Sequence, residues 1–202
     1  MTETITLRSR LGKALTIVVW LIIAAGLVSF VAAGDVAGLI RYVWLMLLIA
    51  WATYVLFWSP AVTVDPAGVV IRNLIREHRI TWPAIQRVDT RFALELFTEK
   101  GKFTAWAAPA PSRSATQRAA KEELVGLPES TYGAGGSIRP GDMPGSLSGQ
   151  ASLLVRMRWD ALRDAGHLDG AVEGTGVVTR WLWLNIGLLA ALVVATLLSF
   201  SL

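Results

Sequence analysis

The run Ala61-Val62-Thr63-Val64-Asp65-Pro66-Ala67-Gly68-Val69-Val70-Ile71-Arg72 decides how the middle of this chain is read. Val62-Thr63-Val64 alternates apolar and polar residues, as a strand with one buried face does. Asp65-Pro66-Ala67-Gly68 places Asp, Pro and Gly at the first, second and fourth positions of a type I turn. Val69 to Arg72 is rich in β-branched residues, so the two runs predict a β-hairpin. Onward from it, strands are expected over about Arg76 to Trp82, Ile85 to Arg91, Ala93 to Thr98 and Lys102 to Ala107. Pro83-Ala84-Ile85 reads as a tight turn or a single helical turn, and Glu99-Lys100-Gly101 as a reverse turn. Links this short require antiparallel pairing.

After Ala108 the strand pattern stops. Ser114 with Gln117 makes a capping-box start for a short helix ending near Gly126 and Pro128. From Gly126 to Gly149 the chain has seven Gly, three Pro and four Ser, which predicts a flexible loop. A helix is expected from about Gly149 to Ala165, with Leu154, Met157, Ala161 and Ala165 at helical spacing and Gly166 as its stop. His167 to Thr179 reads as a linker. Strands followed by a helix suit a small sheet or barrel with one open end covered.

Outside this region the composition changes. Of 202 residues, 53% are apolar and only 17% charged, against about 25% charged in globular chains. The excess falls in three runs: about Ala14 to Ala33, Tyr42 to Trp58, and Trp181 to Leu202. A span needs about 20 apolar residues, and unsatisfied backbone in lipid forces a continuous helix. Gly34-Asp35-Val36-Ala37-Gly38 is long enough only to turn the chain, so the first two spans form a hairpin. The expected organisation is therefore an N-terminal tail (residues 1–13), a helical hairpin (14–58), a β domain (59–109), a short helix and flexible loop (110–148), a covering helix (149–166), a linker (167–180) and a third span (181–202).

Arg8, Arg10 and Lys13 precede the first span and Arg180 abuts the third, while the hairpin tip has Arg41 against Asp35. Positive-inside bias then puts the N-terminus and the β domain in the cytoplasm of a cell membrane, with the C-terminus outside. Trp58, Trp181 and Trp183 are expected at the domain-side interface, with Tyr42 and Trp44 at the other. A cleaved signal peptide is the rival reading of the N-terminal stretch. Its apolar run exceeds the usual hydrophobic region, and a second span follows at once. Asn185, near the start of the third span, is expected to reach interfacial water rather than a neighbouring helix. No acidic or basic residue lies inside the spans, which disfavours transport.

The hairpin sequence, Arg79-Ile80-Thr81-Trp82-Pro83-Ala84-Ile85, Thr104-Ala105-Trp106-Ala107-Ala108-Pro109, and Val155-Arg156-Met157-Arg158-Trp159 with Gly166-His167-Leu168 together resemble bacterial PH-like (pleckstrin-homology-like) domains. The likeness is to the short membrane-anchored forms found in high-GC Gram-positive bacteria. It implies a partly open antiparallel β-barrel closed by a C-terminal helix, an α+β domain carried on three transmembrane helices. It implies no active site and no cofactor. Eukaryotic PH domains that bind phosphoinositides carry basic residues at their first strand turn, whereas Asp65-Pro66-Ala67-Gly68 has none.

The residues themselves agree on the absence of catalytic patterning. There is no cysteine, and His78 and His167 lack any metal-ligand spacing. No nucleophile elbow occurs, and Ala134-Gly135-Gly136-Ser137 reads as a linker. The formal charge of +4 follows from membrane flanks better than from nucleic-acid binding. From Arg72 to Lys121 there are ten Lys or Arg against four acids. Arg72, Arg76, Arg79, Arg87 and Arg91 are therefore the candidate contacts for a partner or for anionic lipid headgroups. Ordinary solvated strand positions, interleaved with Glu77 and Asp89, explain the same residues more simply. Trp82, Trp106 and Trp159 read as packing residues, one of them free to meet a partner. The expected function is a non-enzymatic interaction module for a protein partner at the membrane, with lipid-headgroup binding as the alternative.

Overall fold

In the computed structural model, which describes residues 3–111, 140–143, 145–168 and 176–201, the Asp65 turn forms as its residues require. The Asp65 carboxylate accepts hydrogen bonds from the amides of Ala67 and Gly68, each at 2.8 Å. The turn joins β2 (Ala61–Val64) to β3 (Gly68–Arg72), which β4 (Arg76–Thr81) follows. Gly68 is obligatory for a second reason. A Cβ there would collide with the Ile80 carbonyl, so β3 and β4 meet only because it is absent.

Two more strands join this sheet from outside the expected β region. β1 (Ile5–Leu7) pairs with β2, and β8 (Val177–Trp181) pairs with β4, giving the antiparallel order β1-β2-β3-β4-β8. The tail of residues 1–13 and the linker of residues 167–180 thus need correction, since each contains an edge strand. Their pairing partners lie too far along the chain for local patterning to show them. A second antiparallel sheet holds β5 (Arg87–Asp89), β6 (Ala93–Thr98) and β7 (Gly101–Pro109). β5 is shorter than the Ile85 to Arg91 expected, because Trp82–Ala84 forms a 3-10 turn and Asp89 accepts from the Thr90 amide. Among the described residues no strand pairing closes the two sheets into a barrel.

The sheets share one core. Val62, Val69, Ile71 and Ile80 of the first meet Leu94 and Leu96 of the second, and all are fully or almost fully buried. Helix α3 (Leu147–Asp164) covers them. Its inward face differs from that expected. Ser148, Ala151, Ser152, Val155 and Arg156 are buried, whereas Met157 is half-exposed and Ala161 and Ala165 lie in solvent. Small side chains let the helix sit close to the sheets, and Arg156 goes inward because an acid waits there. Its guanidinium lies 3.1 Å from Asp142, with both side chains at most 5% exposed. Asp142 belongs to the short turn Pro140–Asp142, within the region read as flexible loop, and Ser152 also donates to it. The helix expected from Ser114 to Gly126, and most of that loop, lie outside the described residues.

Three helices are long and apolar enough to cross a membrane: α1 (Arg10–Ala32), α2 (Val36–Thr53) with its π-helical continuation Tyr54–Trp58, and α4 (Trp183–Ser201). Runs of 23, 23 and 19 residues span about 35, 35 and 28 Å, which matches a hydrocarbon core. Each starts earlier or later than its apolar run, since capping by Ser9 and Asp35 extends α1 and α2 into polar sequence. α1 packs on α2 and α2 on α4. Close approach of α1 depends on Gly12, where a Cβ would stand 2.7 Å from the Phe57 carbonyl. Thr16, fully buried, returns its hydroxyl to the Gly12 carbonyl.

Candidate site at the domain and membrane junction

The first sheet and the membrane helices are one continuous structure. β1 runs into α1 and β8 into α4, so both edge strands of the sheet continue directly into helices apolar enough to cross a membrane. Side chains reinforce the junction. The Trp106 indole on β7 donates to the Leu56 carbonyl at 3.1 Å, a group near the end of the second membrane helix. Asn185, in the first turn of α4, donates to the Leu74 carbonyl at 2.9 Å and is only 4% exposed. The expectation that Asn185 faces water is therefore corrected. The β3–β4 turn offers a carbonyl at the right depth, and burial favours a protein partner over solvent. Trp20 stacks on Trp58, with ring centroids 6.2 Å apart, and donates to the Ala50 carbonyl.

Asn73 holds the second sheet to the first. Its amide donates to the Thr104 carbonyl and its carbonyl accepts from the Trp106 amide, both at 2.9 Å. One side chain thus pairs with the edge of β7 as a strand would, at the point where the sheets part.

The five candidate arginines are divided between the two sheets. Arg72 and Arg79 lie on the outer face of the first, where register puts Glu77 directly opposite Arg72 and also opposite Arg180. Arg79 closes on Glu77 at 3.2 Å. Arg180 completes this group and was legible only as a charge flanking the third span. Arg76 points to the opposite side of β4, its guanidinium 3.9 Å from the centre of the Trp181 ring. Trp181 in turn stacks on Trp183. Arg87 lies over Phe97 on the second sheet, and Arg91, beyond β5, lies over Phe92. On that sheet Glu95 is buried and held by Lys102 at 3.0 Å and by Thr104.

This is a strand meander with a covering helix and one shared core. Residues 59–138 match the family of bacterial PH domains. The match ends before α3 and β8, which belong to the same folded unit, one over its core and the other at its edge. No curated protein and no solved structure gives a significant match to the chain.

Of the two histidines, His167 is exposed. His78 sits between strands, with Nδ1 2.9 Å from the Thr179 hydroxyl and its ring against Phe103. Burial, and then the neighbouring Arg76 charge, hold its pKa below the usual 6.5. Among the described residues no group of three or more His, Asp or Glu is placed to hold a metal ion. Trp82 is buried, its indole donating to the Asp65 carbonyl, and Trp159 packs against the core. Trp106 is 56% exposed, a bridge to the membrane helix rather than a core residue.

Proposed function

We propose that this chain is a non-enzymatic membrane module that displays its PH domain, at a fixed attitude to the cytoplasmic face of a cell membrane, to a protein partner in a larger membrane assembly. The likeness to short membrane-anchored PH-like proteins belongs to this reading. The observation that carries it is the double anchorage: both edge strands of the first sheet continue into membrane helices. A domain tethered to act on soluble substrates gains nothing from such rigidity, whereas a surface that meets another membrane protein gains preorganisation. The cytoplasmic assignment rests on Arg8, Arg10, Lys13 and Arg180, all at the domain end of the spans.

Crosslinking in native membranes followed by purification of the full chain tests the reading. A reproducible partner that crosslinks to the PH domain is expected; recovery of the chain alone in repeated preparations would count against it. Reporter fusions at Gly38 and the C-terminus should report the side opposite the domain. Headgroup binding by a strand face has narrower support, because Glu77 sits among Arg72, Arg79 and Arg180 and the remaining arginines lie over aromatic rings. Liposome sedimentation sensitive to salt and abolished by Arg72→Gln with Arg79→Gln would favour it.

A further inference from the structure

Two cavities lie side by side where the membrane helices meet the PH domain. The first, about 750 Å³, is bordered by Arg8, Arg10, Lys13 and Gln150. The second, about 330 Å³, is walled by Leu15, Leu56, Phe57, Pro60 and Trp106. Ser9 and Leu11 line both, so the two adjoin along the start of α1 and together offer a groove with two unlike halves. One half is cationic and has no acidic residue in its lining among the described residues; the other is almost wholly apolar. The cationic half also takes in the first turns of α1 and α3, whose partial positive charge adds to that of the side chains. Lys13 is held 5.7 Å from the Trp58 ring, which marks the level of the bilayer interface.

We propose that this groove binds one anionic phospholipid from the domain-side leaflet. The phosphate lies among Arg8, Arg10 and Lys13, and the glycerol and upper acyl segment lie against Leu15, Phe57 and Trp106. Charge and depth select the ligand together. Three cations within six residues need an anion, and an apolar slot beside them at the membrane surface needs the hydrocarbon attached to it. A soluble phosphate would fill only the first half, and a zwitterionic lipid would bring its own cation into a site that already has three. The proposed site differs from the Arg72 and Arg79 strand face, and it stands or falls independently of the protein partner.

The test is native mass spectrometry of the full chain in detergent, titrated with phosphatidylglycerol or with phosphatidylcholine of the same acyl chains. One phosphatidylglycerol should be retained in preference to phosphatidylcholine. Arg8→Gln, Arg10→Gln and Lys13→Gln together should weaken that preference by about fivefold per charge removed. Those charges also bear on membrane insertion, so Gln150→Glu, which faces the cavity from exposed α3 surface, is the deciding variant. It should weaken the preference several-fold while leaving phosphatidylcholine retention unchanged. Arg72→Gln with Arg79→Gln should have no effect. Equal retention of the two lipids by the parent chain would overturn the proposal. So would a preference insensitive to Gln150→Glu, a preference lost instead through Arg72 and Arg79, or displacement of the lipid by excess glycerol phosphate.

Discussion

The two sheets of the PH domain are built from the same kind of strand but held in place by different means. The first takes its edges from chain that runs straight into long apolar helices, so β1 and β8 are as much ends of α1 and α4 as parts of a sheet. The second is a local meander. It depends on α3, on the Asp142–Arg156 pair beneath that helix, and on Asn73 at the seam. The long apolar helices therefore continue the first sheet at both edges and touch the second through Trp106, while the buried Asp142–Arg156 pair and the Asn73 bonds hold the second sheet in place. Substitutions should separate the two modes.

The largest effect is expected from Asp142→Ala. It strands Arg156 in the core and should cost about 3–5 kcal/mol, the loss typical of breaking one side of a buried pair. Near-ultraviolet circular dichroism of the purified full chain should show an early loss of domain packing while the membrane helices persist. Next, Asn73→Ala removes both bonds at the seam and should cost about 1–3 kcal/mol. Hydrogen exchange should then quicken along β7 and spare β2 to β4. Asn185→Ala probes the other mode and should cost about 1 kcal/mol, with faster exchange confined to the Leu74 turn and the first turn of α4. If it instead loosened β5 to β7, the division drawn between the sheets would be wrong.

The smallest effect concerns pH. His78 has a folded-state pKa below 6.5, so protonation favours the unfolded chain. Its contribution to stability is complete above 6.5 and shrinks as pH falls through that value toward the folded pKa, below which it stays constant. His78→Gln should flatten the stability profile across that interval. An unchanged profile would mean that burial and the Arg76 charge do not lower the His78 pKa at its place between Thr179 and Phe103.

Much of this was legible in the sequence, and the parts that were not share a cause. The Asp65 hairpin and the three spans depend on local signals: a turn whose side chain bonds its own backbone, and runs long enough to cross a bilayer. β8 has β-branched residues at Val177, Val178 and Thr179, but its partner begins about a hundred residues earlier and no local pattern links them. Ile5-Thr6-Leu7 alternates, yet three residues beside a basic flank carry too little signal. Arg156 falls at a helix position that patterning assigns to solvent. Asp142, set within Gly- and Pro-rich sequence, and the Val88 carbonyl explain its burial. The candidate arginines were found as a charge excess along the chain, but strand register divided them, and register is not written in composition.

The segment leading into α4 is a strand of the domain's first sheet, so the domain cannot swing free of that helix. The chain has no cysteine, which allows a direct test in native membranes. Arg79 and Val178 face each other across β4 and β8 on exposed surface, and directly opposed antiparallel residues lie within the span of a disulfide. Arg79→Cys with Val178→Cys should oxidise to a linked peptide pair and lose maleimide labelling at both positions. Two freely labelled thiols under the same oxidising conditions would contradict the account.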